Sequence, residues 1–198
     1  MKKTIGILGA GSIGTTIAKH LTKAGYEVLI SNSRGADSLK EKIKQIGGNI
    51  IAGSVQDAAK ADVVFLAVRW ENVQEVLSSI LLTGKILIDV TNASLPEFVL
   101  AEPRSKTSSE VVSEWAKGAK VVKAFNTLYA QVLAENPQVG GGNRVIFYSG
   151  NNDDAKDVVL SIINRIGFAG IDLGHLHEGG KLQRFPGGSL STLNLIKL

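Results

Sequence analysis

The sequence predicts an α/β fold: a doubly wound, mostly parallel sheet of about eight strands, in a single domain. Two observations predict it. Short apolar runs without alternating polarity are joined by segments of helical spacing, the pattern of strands buried on both faces with helices on either side. The 198 residues, 44% hydrophobic with 22 glycines and 4 prolines, also suffice for one well-buried core and are short for two.

The elements follow in order. TIGILG (residues 4–9) is the first strand, after which Ile13, Ile17, Ala18 and Leu21 recur at helical spacing and Gly25 stops the helix. YEVLIS (26–31) is a second strand, SLKEKIKQI (38–46) a charged helix, NIIAG (49–53) a third strand and SVQDAAK (54–60) a short helix. ADVVFLAV (61–68) is the strongest buried strand, followed by the amphipathic WENVQEVLSSIL (70–81); GKILIDVT (84–91) is the fifth strand. From Asn92 to Lys117 the pattern is less regular, with Pro96 and Pro103, although SSEVVSEWAKG (108–118) reads as a capped helix. KVVKAFNT (120–127) and NRVIFYSG (143–150) are strands separated by a looser stretch. Val158, Val159, Ile162, Ile163 and Ile166 share a face of a long helix from Asp154, and AGIDLG (169–174) is the last strand. No boundary divides the chain, so residues 1–198 read as one domain. Its tail (175–198) ends in FPGGSLSTLNLIKL, whose apolar content implies packing on the domain or on a partner subunit in a homodimer.

Charge and composition exclude several classes. The net charge is +4, but 22 basic residues are interleaved with 18 acids and aromatics make up only 6%. A nucleic-acid surface would need a basic stripe with stacking rings, so none is expected. The absence of cysteine rules out disulfides, thiolate metal sites and a cysteine nucleophile. Of the three histidines, His20 falls in a helix, while His175 and His177 read as exposed loop residues; no metal site is expected. The start, MKKTIGILGAGSIGTTIAKH, mimics a signal peptide, but its apolar run is broken by glycines and leads into Lys19 and His20. No run has the length of a membrane span, and a cytoplasmic protein is expected.

GAGSIG places Gly9, Gly11 and Gly14 at G-x-G-x-x-G spacing between a strand and a helix, the mark of a Rossmann-type dinucleotide site. Gly9 makes the tight turn, Gly11 admits a pyrophosphate, and Gly14 lets the helix pack on the strand. Ala10 completes the turn, and the helix start near Ser12 and Ile13 offers free N–H groups to phosphate. An NAD-selective site would carry an acid after the second strand. Here SNSRG supplies Asn32, Ser33 and Arg34, which suit a ribose 2′-phosphate; NADP(H) is the expected cofactor. The competing reading of Arg34 is a solvated surface arginine.

Taken together, GAGSIG, SNSRG, AVRWENV (67–73), DVTNA (89–93), KVVKAFNT, IDLG (171–174) and GGSL (187–190) resemble the NADPH-dependent oxidoreductases typified by the reductase of the deazaflavin coenzyme F420, with the cytosolic domains of the STEAP metalloreductases as relatives. The resemblance runs along nearly the whole chain. It implies hydride transfer between NADPH and a flavin or deazaflavin co-substrate, with Ser33 and Arg34 on the 2′-phosphate, Val68 and Arg69 along the cofactor, and Asn92 and Asn126 near the nicotinamide. Arg69 and the KAFNT form depart from the deazaflavin enzyme's pattern, which leaves the acceptor open. Asn126, Thr127 and Tyr129 are candidates for an acceptor pocket, and Trp70 either walls the cleft or packs. Two alternatives stand beside this reading: an NADP-dependent dehydrogenase of a small carbonyl or imine, and an NADP-sensing module without turnover.

Overall fold

Every residue of β1 (Ile5–Leu8) is buried, as the unbroken apolar run requires of a strand covered on both faces. The computed structural model describes residues 3–93 and 105–198; the irregular stretch around Pro96 and Pro103 lies outside the described residues. The remaining strands are β2 (Val28–Ser31), β3 (Ile50–Ala52), β4 (Val63–Leu66), β5 (Ile86–Asp89), β6 (Lys120–Ala124), β7 (Gln138–Val139), β8 (Gly142–Gly150), β9 (Ala169–Asp172) and β10 (Ile196–Lys197). They form one sheet with the order β10-β8-β6-β5-β4-β1-β2-β3. From β3 to β6 all neighbours are parallel. β8 then runs antiparallel to β6, pairs with β9 in parallel, and carries the short β7 and β10.

The sheet is the doubly wound α/β sheet that the sequence predicts, and the eight anticipated strands are all present. β7 and β10 are two residues each, too short for any period to register. Among the described residues the helices are α1 (Ser12–Lys23), α2 (Lys40–Ile46), α3 (Val55–Ala59), α4 (Val73–Ser78), α5 (Ser108–Trp115), α6 (Ala130–Ala134), α7 (Asp153–Arg165) and α8 (Leu176–Leu182). Single 3-10 turns at Ala36–Leu39 and Trp70–Asn72 lead into α2 and α4. α6 and α8, of five and seven residues, were not anticipated.

Strand alternation sorts the core into two layers. Ile5, Ile7, Val63 and Phe65 pack with Ile17 and Leu21 of α1, Phe125, and Val159 and Ile163 of α7. Leu8, Val64, Leu66 and Leu87 pack on the other face with Trp70, Val112 of α5 and Leu176 of α8. Each fully buried side chain of this kind contributes roughly 1.5–3 kcal/mol. Trp70 is thus a packing residue: it is buried, with its ring 5.6 Å from that of Trp115.

The tail folds back on the sheet. Thr192 N donates to Thr127 O at 2.9 Å, Val145 N to Leu195 O at 2.9 Å, and buried Arg144 joins Glu135 and Asn194. His177 corrects the loop reading: it lies in α8, half-buried, with Nδ1 3.0 Å from Glu110 of α5. His175 is exposed just before that helix. Among the described residues no helix is long and apolar enough to cross a membrane.

Candidate functional site

Three loops at the carboxyl ends of the parallel strands bring the expected residues to one edge of the sheet. The first joins β1 to α1. Gly9 has φ +111°, and its N–H is tied to Ser31 O at 3.0 Å. A Cβ on Gly14 would lie 2.1 Å from Gly9 O, so only glycine lets α1 sit against the turn. Gly11 differs from both. Its φ of −76° and ψ of −172° suit any residue, and nothing lies within 4 Å of where its Cβ would be. Its freedom from a side chain matters only to something that approaches from outside.

The start of α1 reinforces this. Among the described helices of eight residues or more, α5 and α7 have side-chain caps, from Thr107 and Asn152. α1 begins at Gly11 with no side-chain cap and no acid in its first turn. Ser12 is exposed and Ile13 half-buried, and the donors at this helix end are open to an anion along the favourable end of the helix dipole. These features fit a pyrophosphate. Gly14→Ala is expected to destabilise the fold by about 1–3 kcal/mol through overpacking. Gly11→Ala is expected to melt like wild type yet lose roughly tenfold or more in dinucleotide affinity. Thermal melting beside a nucleotide titration checks both, and similar melting losses for the two variants would refute the distinction.

The second loop follows β2. Ser31 is fully buried and donates to Ile7 O at 3.2 Å, so its hydroxyl serves the sheet. Asn32 shapes the loop: its Oδ1 accepts from Arg34 N at 3.0 Å and its Nδ2 donates to Ser38 at 2.8 Å. Ser33 and Arg34 are exposed. The nearest acid in sequence, Asp37, is committed to Lys40 at 2.7 Å, whose ammonium holds its carboxyl below the usual range. The sequence reading missed Lys42. From α2 it donates to Ala10 O at 2.8 Å, which brings a second cation to the glycine turn. In a lysine-rich surface helix nothing marked it out; only the fold aims it.

The third group follows β4, β5 and β6. Val68 is half-buried and Arg69 exposed at the start of the turn into α4. Asn92 and Asn126 meet: Asn92 Nδ2 donates to Asn126 O at 3.0 Å, and Asn126 Nδ2 donates to Asn92 Oδ1 at 2.9 Å. Phe125, just before Asn126, has φ +63°, a left-handed backbone that costs a non-glycine residue about 1–3 kcal/mol and turns Asn126 inward. Thr127 is buried, and exposed Tyr129 meets Phe185 of the tail edge to face at 5.9 Å. Beneath them Asp89 and Lys123 form a buried ion pair at 3.1 Å. Asp89 also accepts from Thr91 N at 2.9 Å, Thr91 Oγ1 at 2.7 Å and Ser109 Oγ at 2.8 Å. Gln183 at the end of α8 enters the same group: it is fully buried, and its main-chain oxygen accepts from Asn126 Nδ2 at 2.7 Å. No periodicity flags Gln183 or Phe185 in the sequence.

Comparison with known proteins agrees with this geometry. The model of the family described as NADP oxidoreductase coenzyme F420-dependent matches residues 4–93. Metalloreductase STEAP3 of Rattus norvegicus is 27% identical over 185 residues, 92% of this chain and 36% of that protein. The chain therefore spans about a third of the length of that curated relative. Among solved structures, a hypothetical protein, SMa0349 from Sinorhizobium meliloti, is 42% identical with a TM-score of 0.90, covering 100% of this chain and 97% of that one. A putative F420 dependent NADP-reductase from Arthrobacter sp. FB24 is 25% identical with a TM-score of 0.71, covering 92% and 89%.

Proposed function

We propose, for a chain whose residues 4–93 match the model of the NADP oxidoreductase coenzyme F420-dependent family, an NADP(H)-dependent oxidoreductase that passes hydride between the nicotinamide and a flavin or deazaflavin acceptor. The observation that carries this reading is the pairing, at one sheet edge, of an uncapped helix start behind an open Gly11 with a loop that presents Ser33 and Arg34. The first suits a pyrophosphate and the second a 2′-phosphate, with Lys42 beside them. Residues 1–198 act in this reading as one NADP-binding unit.

Bound NADPH supplies the hydride. The chain's own residues hold the donor and keep water from the reacting face. The groups gathered after β5 and β6 are amides and hydroxyls: Asn92, Asn126 and Thr127. Such groups orient a ring, and transfer between two stacked rings depends mainly on positioning. The Tyr129–Phe185 pair forms the outer wall beside them. Exposed Leu193, Leu195 and Leu198, near the edge strand β10, support a homodimer through the tail; a monomeric mass by light scattering would end that idea.

The test is anaerobic NADPH oxidation against flavin mononucleotide, riboflavin and the deazaflavin, beside a panel of small carbonyls and imines. Turnover with a flavin-type acceptor is expected. A clear win for a carbonyl or imine would replace the acceptor, and tight NADPH binding without turnover on any of them would leave a sensing module.

A further inference from the structure

We infer that the cleft between the ends of α1, α6 and α7 is a second ligand site, built for a small dianion that brings its own hydroxyl hydrogen, with hydrogen phosphate as the simplest example. It lies at the far end of α1 from the glycine turn, roughly 17 Å along the helix axis. It does not rest on the NADP(H) reading.

The cleft has a volume of about 390 Å³, and Lys19, His20, Lys23, Glu135, Pro137 and Arg165 are among the residues that line it. That is the size of a pocket for a small molecule. Its floor is His20, which is 9% exposed and packs edge to face on Phe168 at 5.2 Å. His20 Nε2 lies 2.7 Å from Leu133 O. A carbonyl oxygen only accepts, so Nε2 carries the hydrogen, and Nδ1 of the neutral ring presents a lone pair. Nδ1 has no hydrogen-bond partner among the described residues, yet it is not sealed in the interior, and so it opens on the cleft that the ring lines.

The walls carry cations that the fold does not consume. Basic side chains at the carboxyl end of a helix ordinarily serve its last carbonyls. In α1 the main chain has already taken them: His20 O accepts from Ala24 N at 3.1 Å, Leu21 O from Tyr26 N at 3.0 Å and Thr22 O from Gly25 N at 2.9 Å. Arg165 donates through Nε to Ala24 O at 3.1 Å, and its guanidinium lies over the Tyr26 ring at 4.7 Å, which fixes it at the rim. Lys19 and Lys23 are exposed and have no hydrogen bond or ion pair among the described residues. Among the described lining residues Glu135 is the one acid, and buried Arg144 holds it at 2.8 Å.

The two features select one kind of ligand. Three cations without a counter-charge favour an anion of more than one charge. The lone pair at the floor favours an anion with a hydrogen to donate, because an oxyanion without one would set lone pair against lone pair. Burial, with the charges of Lys23 and Lys19 added to it, holds the His20 pKa below the usual histidine value. At about pH 8 the ring is therefore the neutral acceptor.

The experiment follows the His20 Nδ1 resonance of protein labelled with nitrogen-15 histidine, at about pH 8, as phosphate or sulfate is added at matched ionic strength. The chain has 3 histidines, and spectra of His175→Gln and His177→Gln assign His20 by elimination. At that pH phosphate is chiefly the hydrogen phosphate dianion, and sulfate is a dianion of the same shape without a hydrogen. Phosphate is expected to shift His20 in a saturable way, with sulfate at least about tenfold weaker. Lys19→Gln and Lys23→Gln, both at exposed side chains, are each expected to weaken phosphate by about threefold to tenfold, while Arg34→Ala leaves it within about twofold. Malate beside succinate is a second pair that differs by one hydroxyl. Whichever of malate and phosphate binds more tightly is the chemistry that the site takes. No saturable shift below about 50 mM phosphate or malate, equal affinity for both members of each pair, or a loss in Arg34→Ala with none in Lys23→Gln would overturn the inference.

Discussion

Replacing Arg34 with alanine weakens NADPH binding by roughly one to two orders of magnitude and leaves NADH nearly unchanged. The size follows from the chemistry of the lost contact: a charge-assisted hydrogen bond to phosphate contributes about 1.5–3 kcal/mol, and a guanidinium can make two in parallel. The selectivity follows from position. Arg34 is exposed on a loop whose shape Asn32 fixes through the Arg34 N–H, so truncating the side chain leaves the loop intact. Asp37, held by Lys40, does not compete for the guanidinium. Lys42 remains beside Ala10 in the variant and keeps part of the attraction, which bounds the loss. Fluorescence titration with both nucleotides is the measurement. Equal losses for NADPH and NADH would return Arg34 to the status of a solvated surface residue.

The second large effect concerns stability. Lys123→Met is expected to destabilise the protein by about 3–5 kcal/mol, because it strands the Asp89 carboxylate in the interior without its counter-charge. Asp89 is fully buried and Lys123 is 2% exposed, so water does not screen the remaining charge. Thr91 and Ser109 still donate to Asp89, but hydroxyl and amide dipoles replace a unit charge only in part. Against a typical total of about 5–15 kcal/mol, such a loss is a large fraction of the stability. The double variant Lys123→Met with Asp89→Asn is expected to recover part of it, since the neutral amide removes the stranded charge while its oxygen still accepts from Thr91. Urea denaturation of the three proteins decides the matter. A single-variant loss under about 1 kcal/mol would show that the hydroxyl donors alone suffice.

The parallel half of the sheet was legible because each strand is covered on both faces and shows as an unbroken apolar run. VVFL of β4 and ILID of β5 are buried at every position. The proposed adenosine half of the candidate site rests on signals of the same local kind, glycine spacing and the residues after β2, which a short stretch of chain contains. The other half was not legible in this way. Gln183 acts on Asn126 across 57 residues, and Lys123 on Asp89 across 34. Such pairs exist only once the sheet aligns β5, β6 and β8, and nothing in the period of a sequence encodes them. Lys42 was hidden for a different reason: in the charged run of α2 it resembles Lys40 and Lys44, which pair with nearby acids on the surface. His177 read as a loop residue because the seven-residue α8 contains two glycines, and packing on α5 rather than propensity makes it helical.

The amide set has a consequence in time as well as in space. A chain emerging from the ribosome makes its glycine turn and the Arg34 loop well before β5. Residue 183 arrives long after that loop. A chain cut short before α8 would carry the glycine turn and the Arg34 loop and would lack the Gln183 oxygen that accepts from Asn126.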